Sequence, residues 1–328
     1  MMHKPTLIFA ILAVFVASTA FAQATRKLAP GVVTVIPIDP QREETFHGPL
    51  PLVEVLTDFR SLDWTPNYSP KTETLLELSK KVILRRGIWN YEFAFKPLRM
   101  MQVDIPQADG RMRKQLIWYL VYRVKNIGGD LNPISEEDTF GHKTFAAETI
   151  NRQSGRFFPL FWIQTHDLDK TKRYVDRVIP AAQEAVQRRE RPGTRLYNTV
   201  EISQIGIPLS DETADRSVWG VATWEAIDPN VDYFSIYIRG LTNAYRFVDP
   251  QGAYPPGAAY QPGQGPTTGR QFTYKTLQLN FSRPGDAYDE HEEEIKYGVP
   301  IMGNAEEQQK ILDIYGLEKR LDHLWVYR

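Results

Sequence analysis

Hydrophobic and polar residues alternate most regularly between Gln115 and Gly129. The residues of one parity are all apolar or aromatic: Leu116, Trp118, Leu120, Tyr122 and Val124. The other parity is apolar in the middle of the stretch and polar at its ends. A period of two in aromatic and β-branched residues predicts a long strand, and its two apolar faces predict an interior position in a sheet. The strand ends at Asn126-Ile-Gly-Gly, because Asn and Gly tolerate a positive φ.

The same period extends backward to Ile88 and predicts a meander over residues 88–126. Pro97 interrupts it and predicts a bend or two separate strands, since proline cannot donate to a ladder. Asp109-Gly110 predicts the turn of a hairpin. Further strands are predicted over residues 156–165, 172–179, 196–207, 217–227, 233–239 and 270–282.

Helical patterns are short and lie outside the strand-rich region or between its strands. Residues 72–86 carry a partial apolar stripe, with acidic residues early and basic residues late, which suits the helix dipole. Residues 180–191 and 305–315 predict two more helices. Residues 249–269 contain five glycines, five prolines and two tyrosines, which is typical of a long loop.

The first 22 residues form a segment of their own. An apolar run over residues 7–21 follows His3 and Lys4, and Ala20-Phe21-Ala22 is a small-x-small cleavage site. This pattern predicts a secretory signal peptide, with the mature chain beginning at Gln23 and no membrane span after cleavage. The chain is therefore expected to be exported: periplasmic, attached to the envelope or secreted. The remaining divisions are an arm and helix at 23–87, a β region at 88–283 and an acidic, partly helical tail at 284–328.

Composition narrows the classes of function. The chain of 328 residues contains no cysteine, which excludes disulfides, a cysteine nucleophile and lipoprotein anchoring. A formal charge of −1 and the absence of a basic stripe argue against nucleic acid as a partner. Stability must then come from a sizeable apolar core, which a chain of this length can bury.

The succession of short strands predicts a mainly β protein, an antiparallel β-sandwich with short accessory helices and extended terminal segments. The strand that ends in Tyr122-Arg-Val-Lys-Asn-Ile-Gly-Gly resembles immunoglobulin-like modules of exported bacterial proteins. The whole chain also resembles exported bacterial proteins that have no assigned activity. The resemblance implies an envelope or secreted location and brings no activity with it.

Candidate chemistry is sparse. No nucleophile elbow or zinc-binding helix motif occurs. His166, Asp167 and Asp169 follow a predicted strand and could offer ligands to Ca²⁺ or another divalent ion, although a polar turn explains the same residues. Most aromatic residues fall on the buried parity of strands. The exceptions, and our candidates for partner contacts, are Tyr254, Tyr260, Trp325 and Tyr327.

These features predict a non-enzymatic, exported structural or binding protein of the cell envelope. Its partner would be an envelope protein, a polysaccharide or a second copy of the chain. Two alternatives stay open from the sequence. One is a metal-dependent hydrolase of an extracellular polymer, with His166, Asp167 and Asp169 at its site. The other is a carbohydrate-binding module, since exposed aromatic rings stack on sugars.

Overall fold

The computed structural model describes residues 33–49, 83–137, 139, 143–167, 171–228, 230–253, 269–283 and 295–328. The protein is mainly β, and its sheets are antiparallel, as the sequence predicts. The strands are β1 (Thr34–Ile36), β2 (Phe46–Pro49), β3 (Ile83–Arg85), β4 (Glu92–Phe95), β5 (Arg99–Pro106), β6 (Met112–Lys125), β7 (Asp130–Glu137), β8 (Lys143–Ile150), β9 (Ser154–Arg156), β10 (Leu160–Thr165), β11 (Arg173–Val175), β12 (Gly206–Pro208), β13 (Val218–Glu225), β14 (Tyr233–Arg239), β15 (Tyr245–Val248), β16 (Gln271–Ser282), β17 (Lys296–Tyr297) and β18 (His323–Tyr327). The helices of the described residues are α1 (Pro180–Glu190), α2 (Thr199–Ile202) and α3 (Ala305–Tyr315), with a 3-10 turn at Arg42–Thr45.

Strand β6 is the centre of a five-stranded sheet. It pairs with β4, β5 and β13, and β1 continues the sheet beyond β4. The side chains from Ile117 to Tyr122 are buried on both faces, which confirms the predicted interior strand. Pro97 separates β4 from β5, and the hairpin of β5 and β6 turns at Asp109-Gly110 as predicted.

A seven-stranded sheet provides the second layer of structure. Strands β11, β10, β14 and β16 follow one another across it, and β15, β17 and β18 also pair with β16. The predicted strand at 233–239 is β14, with the same bounds. Strand β16 pairs with β14 through residues 276–282 and with β15 through residues 271–274, and residues 240–244 separate those two partner strands.

The two sheets share one apolar core. Tyr122 of the five-stranded sheet lies 4.8 Å from Phe161 of the seven-stranded sheet, and Trp118 lies 5.3 Å from Phe234, measured between ring centroids. Alternate residues of both sheets point into this core. The residues between them must therefore face away from it, either towards solvent or towards the helices.

Helix α1 covers the outer face of the five-stranded sheet. Ala182 and Val186 pack against alternate residues of β6 that point away from the shared core. At its last residue, the Glu190 carboxylate accepts hydrogen bonds from Lys96 Nζ (3.0 Å), Arg99 Nη1 (2.5 Å) and the Tyr119 hydroxyl (2.9 Å). The predicted helix at 180–191 is thus present and anchored by a buried carboxylate.

Two predicted elements differ in the structure. Of the strand predicted at 196–207, residues 199–202 form α2 and residues 206–207 lie in β12. Helix α2 forms because the Asn198 side chain accepts from the backbone N–H of Glu201 while the Glu201 side chain accepts from the N–H of Asn198. Of the helix predicted at 72–86, residues 72–82 lie outside the described residues, and Ile83–Arg85 form β3. Strands β7 and β8 form an antiparallel pair where the sequence predicts no strand.

Helix α3 has the bounds predicted for it, and Gly316 ends it in the left-handed conformation with φ of 67°. No helix in the described part of the chain is both long enough and apolar enough to span a membrane. The predicted signal peptide, the loop residues 254–268 and the acidic residues 284–294 lie outside the described residues.

Candidate functional site

The outward face of the seven-stranded sheet carries an unusual set of side chains. Core residues alternate with Trp162 and Gln164 along β10, and with Ser235, Tyr237 and Arg239 along β14. Since successive strand residues point to opposite faces, these five lie on the face away from the core. Aromatic, amide and guanidinium groups therefore replace the simple polar surface that a solvated sheet needs.

Two arginines from distant parts of the chain meet at one neutral oxygen. Gln164 Oε1 accepts from Arg173 Nε at 3.1 Å and from Arg328 Nη1 at 3.1 Å. Arg173 lies opposite Gln164 on the neighbouring strand β11, whereas Arg328 follows β18 and reaches Gln164 from there. An amide oxygen fixes the position of both cations but leaves their charges uncompensated.

Aromatic rings lie beside these cations. Trp162 and Tyr237 are stacked, with centroids 5.1 Å apart and planes 10° apart, and the Arg328 guanidinium lies 4.3 Å from the centroid of Tyr237. Arg239 lies 3.4 Å from the Tyr274 ring. Rings in these positions attract the cations and restrict their rotamers, so the guanidinium groups are held in place. We call the six residues Trp162, Arg173, Tyr237, Arg239, Tyr274 and Arg328 the arginine–aromatic face.

The charge of this face is not balanced by the described residues around it. Within the described ranges, none of Arg173, Arg239 and Arg328 has a carboxylate at ion-pair distance. Elsewhere in the same ranges arginines commonly have one: Arg177 pairs with Glu225, and Arg270 binds Asp249 through two nitrogen atoms at 2.7 and 2.9 Å. Fixed cations without counter-ions raise the local affinity for anions.

Apolar side chains border the accessible part of the face, whereas Tyr237 is buried at 2% exposure beside Trp162 and Arg328. Leu160 and Val175 share the outward parity of Trp162 and are 38% and 54% exposed. Trp162 is half-buried, and its indole N–H is buried with no hydrogen-bond acceptor among the described residues. The apolar rim, the exposed part of the indole ring and the fixed cations together offer a surface that can stack on a ring and hold an oxygen atom.

A buried polar network supports one end of the face. His166 Nε2 lies 2.8 Å from the Ser235 hydroxyl, which donates to Asn280 Oδ1 at 2.7 Å. Asn280 Oδ1 can only accept, since its amide nitrogen donates to the carbonyl of Leu321. When the Ser235 hydroxyl donates to Asn280, His166 Nε2 is the donor to Ser235.

Burial lowers the pKa of His166 to about 4, and the nearby Arg328 charge acts in the same direction. The imidazole is neutral at pH 7 as a result. Its ring also contacts Tyr315 of α3, with centroids 5.2 Å apart. His166 thus connects the face to the helix that covers the adjacent part of the sheet.

The predicted metal ligands point in different directions. His166 is bound to Ser235, whereas Asp167 Oδ2 accepts from the backbone N–H groups of Asp232 (2.6 Å) and Tyr233 (3.1 Å). Asp169 lies outside the described residues. No group of three histidine, aspartate or glutamate side chains within the described ranges could hold a metal ion. The metal site stays a prediction.

The predicted partner contacts also stay predictions. Tyr254 and Tyr260 lie outside the described residues. Trp325 and Tyr327 are half-buried in β18, and the Tyr327 hydroxyl donates to Glu44 at 2.5 Å. Glu44 also binds Lys275 at 2.7 Å, so Tyr327 helps to attach the N-terminal described segment to the sheet.

The sequence interpretation missed the arginine–aromatic face. The sequence does contain an indication of this face. The outward positions of β10 and β14 carry large aromatic or polar residues, where a solvated strand would carry small polar groups. Comparisons of the chain with models of known protein families, with curated proteins and with solved structures find no match.

Proposed function

We propose that this chain is a non-enzymatic, exported protein that binds a polysaccharide of the cell envelope through its arginine–aromatic face. The observation that carries the proposal is the partly exposed ring of Trp162, which is stacked on the buried Tyr237, beside cations that have no carboxylate partner among the described residues. Sugar rings stack on indole and phenol rings through their C–H faces, and charged or hydroxyl groups of the sugar bind guanidinium donors.

The location rests on the sequence. We propose that residues 1–22 direct export and are removed, which leaves a chain beginning at Gln23. Fractionation of cells and N-terminal sequencing of the purified protein test this part of the proposal. A full-length chain recovered from the cytoplasm would contradict it.

We also propose that the two large sheets are the layers of an immunoglobulin-like β-sandwich. Support comes from the shared core, to which alternate residues of both sheets contribute. A rigid support of this kind suits a binding protein, since side chains on paired strands keep their spacing better than side chains on loops.

The test of binding uses the protein without its signal peptide and a panel of soluble and insoluble envelope polysaccharides. Retention is measured by affinity electrophoresis and by sedimentation with the insoluble polymers. Trp162→Ala should weaken retention by about two- to tenfold, because stacking of one ring contributes roughly 0.5–1.5 kcal/mol. Trp219→Ala is the matched control, since Trp219 is a half-buried tryptophan on the other sheet.

Two results would contradict the proposed function. One is the absence of retention by every polysaccharide in the panel while the protein is folded. The other is the release of new reducing ends during incubation, which would indicate a hydrolase instead of a binding protein. Metal content, measured on the same preparation, tests the alternative with His166 and Asp167 as ligands.

A further inference from the structure

The ligand of the arginine–aromatic face must satisfy two cations at once. Arg173 and Arg328 each lie 3.1 Å from the same oxygen of Gln164, so their guanidinium groups are neighbours. Like charges this close repel each other unless an anion lies between or beside them. In the described ranges neither arginine has a carboxylate partner.

We propose that Arg173 and Arg328 bind one oxyanion substituent, a carboxylate or a sulfate ester, of a sugar residue that stacks on Trp162. This assignment rests on the proposed function and names its ligand class. Guanidinium groups bind such oxyanions through paired N–H donors, and each arginine retains donors beyond the one that Gln164 uses.

The position of the rings supports the assignment. Trp162 lies one step along the outward face of β10 from Gln164, which binds both arginines. Successive outward residues of a strand are about 7 Å apart, so a sugar that stacks on Trp162 lies next to the amide oxygen to which both guanidinium groups donate.

The neighbouring groups leave the cations unchanged near pH 7. His166 is neutral there because burial lowers its pKa to about 4. Burial raises the pKa of the Tyr237 hydroxyl, which keeps this group protonated as well. Among the described residues, Gln164 and Trp162 also lie beside the two arginines, and neither of these side chains titrates.

Four soluble polymers test the effect of charge on a constant sugar chain. They are two charged polymers and their uncharged counterparts: polygalacturonate and its fully methyl-esterified form, and dextran sulfate and dextran. We expect the protein to bind at least one of the two charged polymers at least about tenfold more tightly than its uncharged counterpart, because the paired guanidinium groups need an oxyanion. Preference for polygalacturonate identifies a carboxylate, and preference for dextran sulfate identifies a sulfate ester. Binding should weaken as salt is raised.

The variants are Arg173→Gln and Arg328→Gln, alone and together. Both side chains are exposed, so the variants should fold, and thermal unfolding checks this. We expect each single variant to lower affinity for the preferred charged polymer about tenfold. Arg111→Gln is the matched control, because it removes the same charge from a side chain that is 88% exposed and lies on a distant turn.

The outcomes distinguish this inference from the proposed function. Equal affinity for charged and uncharged polymers, with loss of binding in Trp162→Ala, would overturn the oxyanion site and leave a polysaccharide-binding protein. Unchanged binding of charged polymers in the double variant would also overturn it. Failure to bind any of the four polymers or any envelope polysaccharide would overturn both.

Discussion

At the scale of single residues, the structure shows how this protein keeps charged side chains inside. Glu190 is the main example, with a side chain that is 2% exposed and hydrogen bonds from Lys96, Arg99 and Tyr119. Burial raises the pKa of this carboxyl, but the hydrogen bonds from Arg99 and Lys96 outweigh burial and hold the pKa below its ordinary value. The negative charge is therefore part of the folded structure.

Glu190→Gln should lower the free energy of unfolding by about 3 kcal/mol, because it removes the negative charge that pairs with the buried Lys96 and Arg99. Urea unfolding at pH 7 measures the change. Glu184→Gln on the same helix is the control, since Glu184 is exposed and its pair with Arg188 contributes under about 0.5 kcal/mol. Folding lowers the pKa of Glu190, so its ionised carboxylate stabilises the folded state fully at pH values above the ordinary pKa of 4.5. This stabilisation is lost as the pH falls through the lower pKa of the folded protein. Equal stability of the two variants would contradict this role.

His166 should make the protein less stable in mild acid. Its pKa is about 4 when folded against 6.5 when exposed, so the unfolded chain binds the proton more tightly. The contribution of neutral His166 to the free energy of unfolding is complete above pH 6.5. It falls between pH 6.5 and 4, by about 3 kcal/mol in all. Urea unfolding across this range measures the slope. His166→Gln keeps a donor for Ser235 and should show a smaller slope, and a slope equal to that of the original protein would contradict the assignment.

At the scale of elements, the close packing of two neighbouring strands determines which residue can occupy a position. Gly220 lies in the middle of β13, where a glycine is unfavourable unless something approaches it. A Cβ there would lie 2.6 Å from the hydroxyl oxygen of Tyr122, which is fully buried between Phe157 and Phe161. Tyr122 thus uses the space that any other residue at position 220 would need.

Gly220→Ala should destabilise the protein by about 1–3 kcal/mol, since Tyr122 has no room to move. Thermal or urea unfolding measures the loss. Gly303→Ala is the control, because a Cβ at Gly303 would meet nothing within 4 Å. If Gly220→Ala lowered the free energy of unfolding no more than Gly303→Ala, this result would contradict the close packing of Tyr122 against β13.

At the scale of the whole molecule, the two large sheets depend on each other through aromatic contacts. Phe234 of the seven-stranded sheet stacks on Phe281 at 5.6 Å and meets Trp118 of the five-stranded sheet at 5.3 Å. Neither sheet can bury its inner face without the other. The core should therefore unfold as one unit.

Phe234→Ala should cost about 3–5 kcal/mol through the cavity that it leaves between the sheets. Unfolding followed by tryptophan fluorescence and by far-UV circular dichroism should shift together, as one cooperative transition. Phe158→Ala is the control, since Phe158 is 61% exposed and its loss should cost less than about 1 kcal/mol. Two separate transitions in the original protein would contradict a shared core.

The sequence alone determined most strands of the two large sheets and the buried face of β6, but not the strands β7 and β8. The alternation in β6 predicted which residues are buried, because the period of two relates neighbouring side chains directly to the two faces of a strand. Helix α3 was predictable for a similar reason, since its stripe and its terminal glycine are local signals. Helix α2 was not recognised, although Asn198 and Glu201 carry its capping box.

Only the tertiary structure decided which outward residues meet. Arg173 and Arg328 are far apart in the chain, and they bind the same amide oxygen because β11 pairs with β10 while β18 pairs with β16. Local patterns determine which face of a strand a residue occupies. They do not determine which strands become neighbours, because pairing order depends on how the whole chain buries its core. The arginine–aromatic face therefore emerges only when the sheets are assembled.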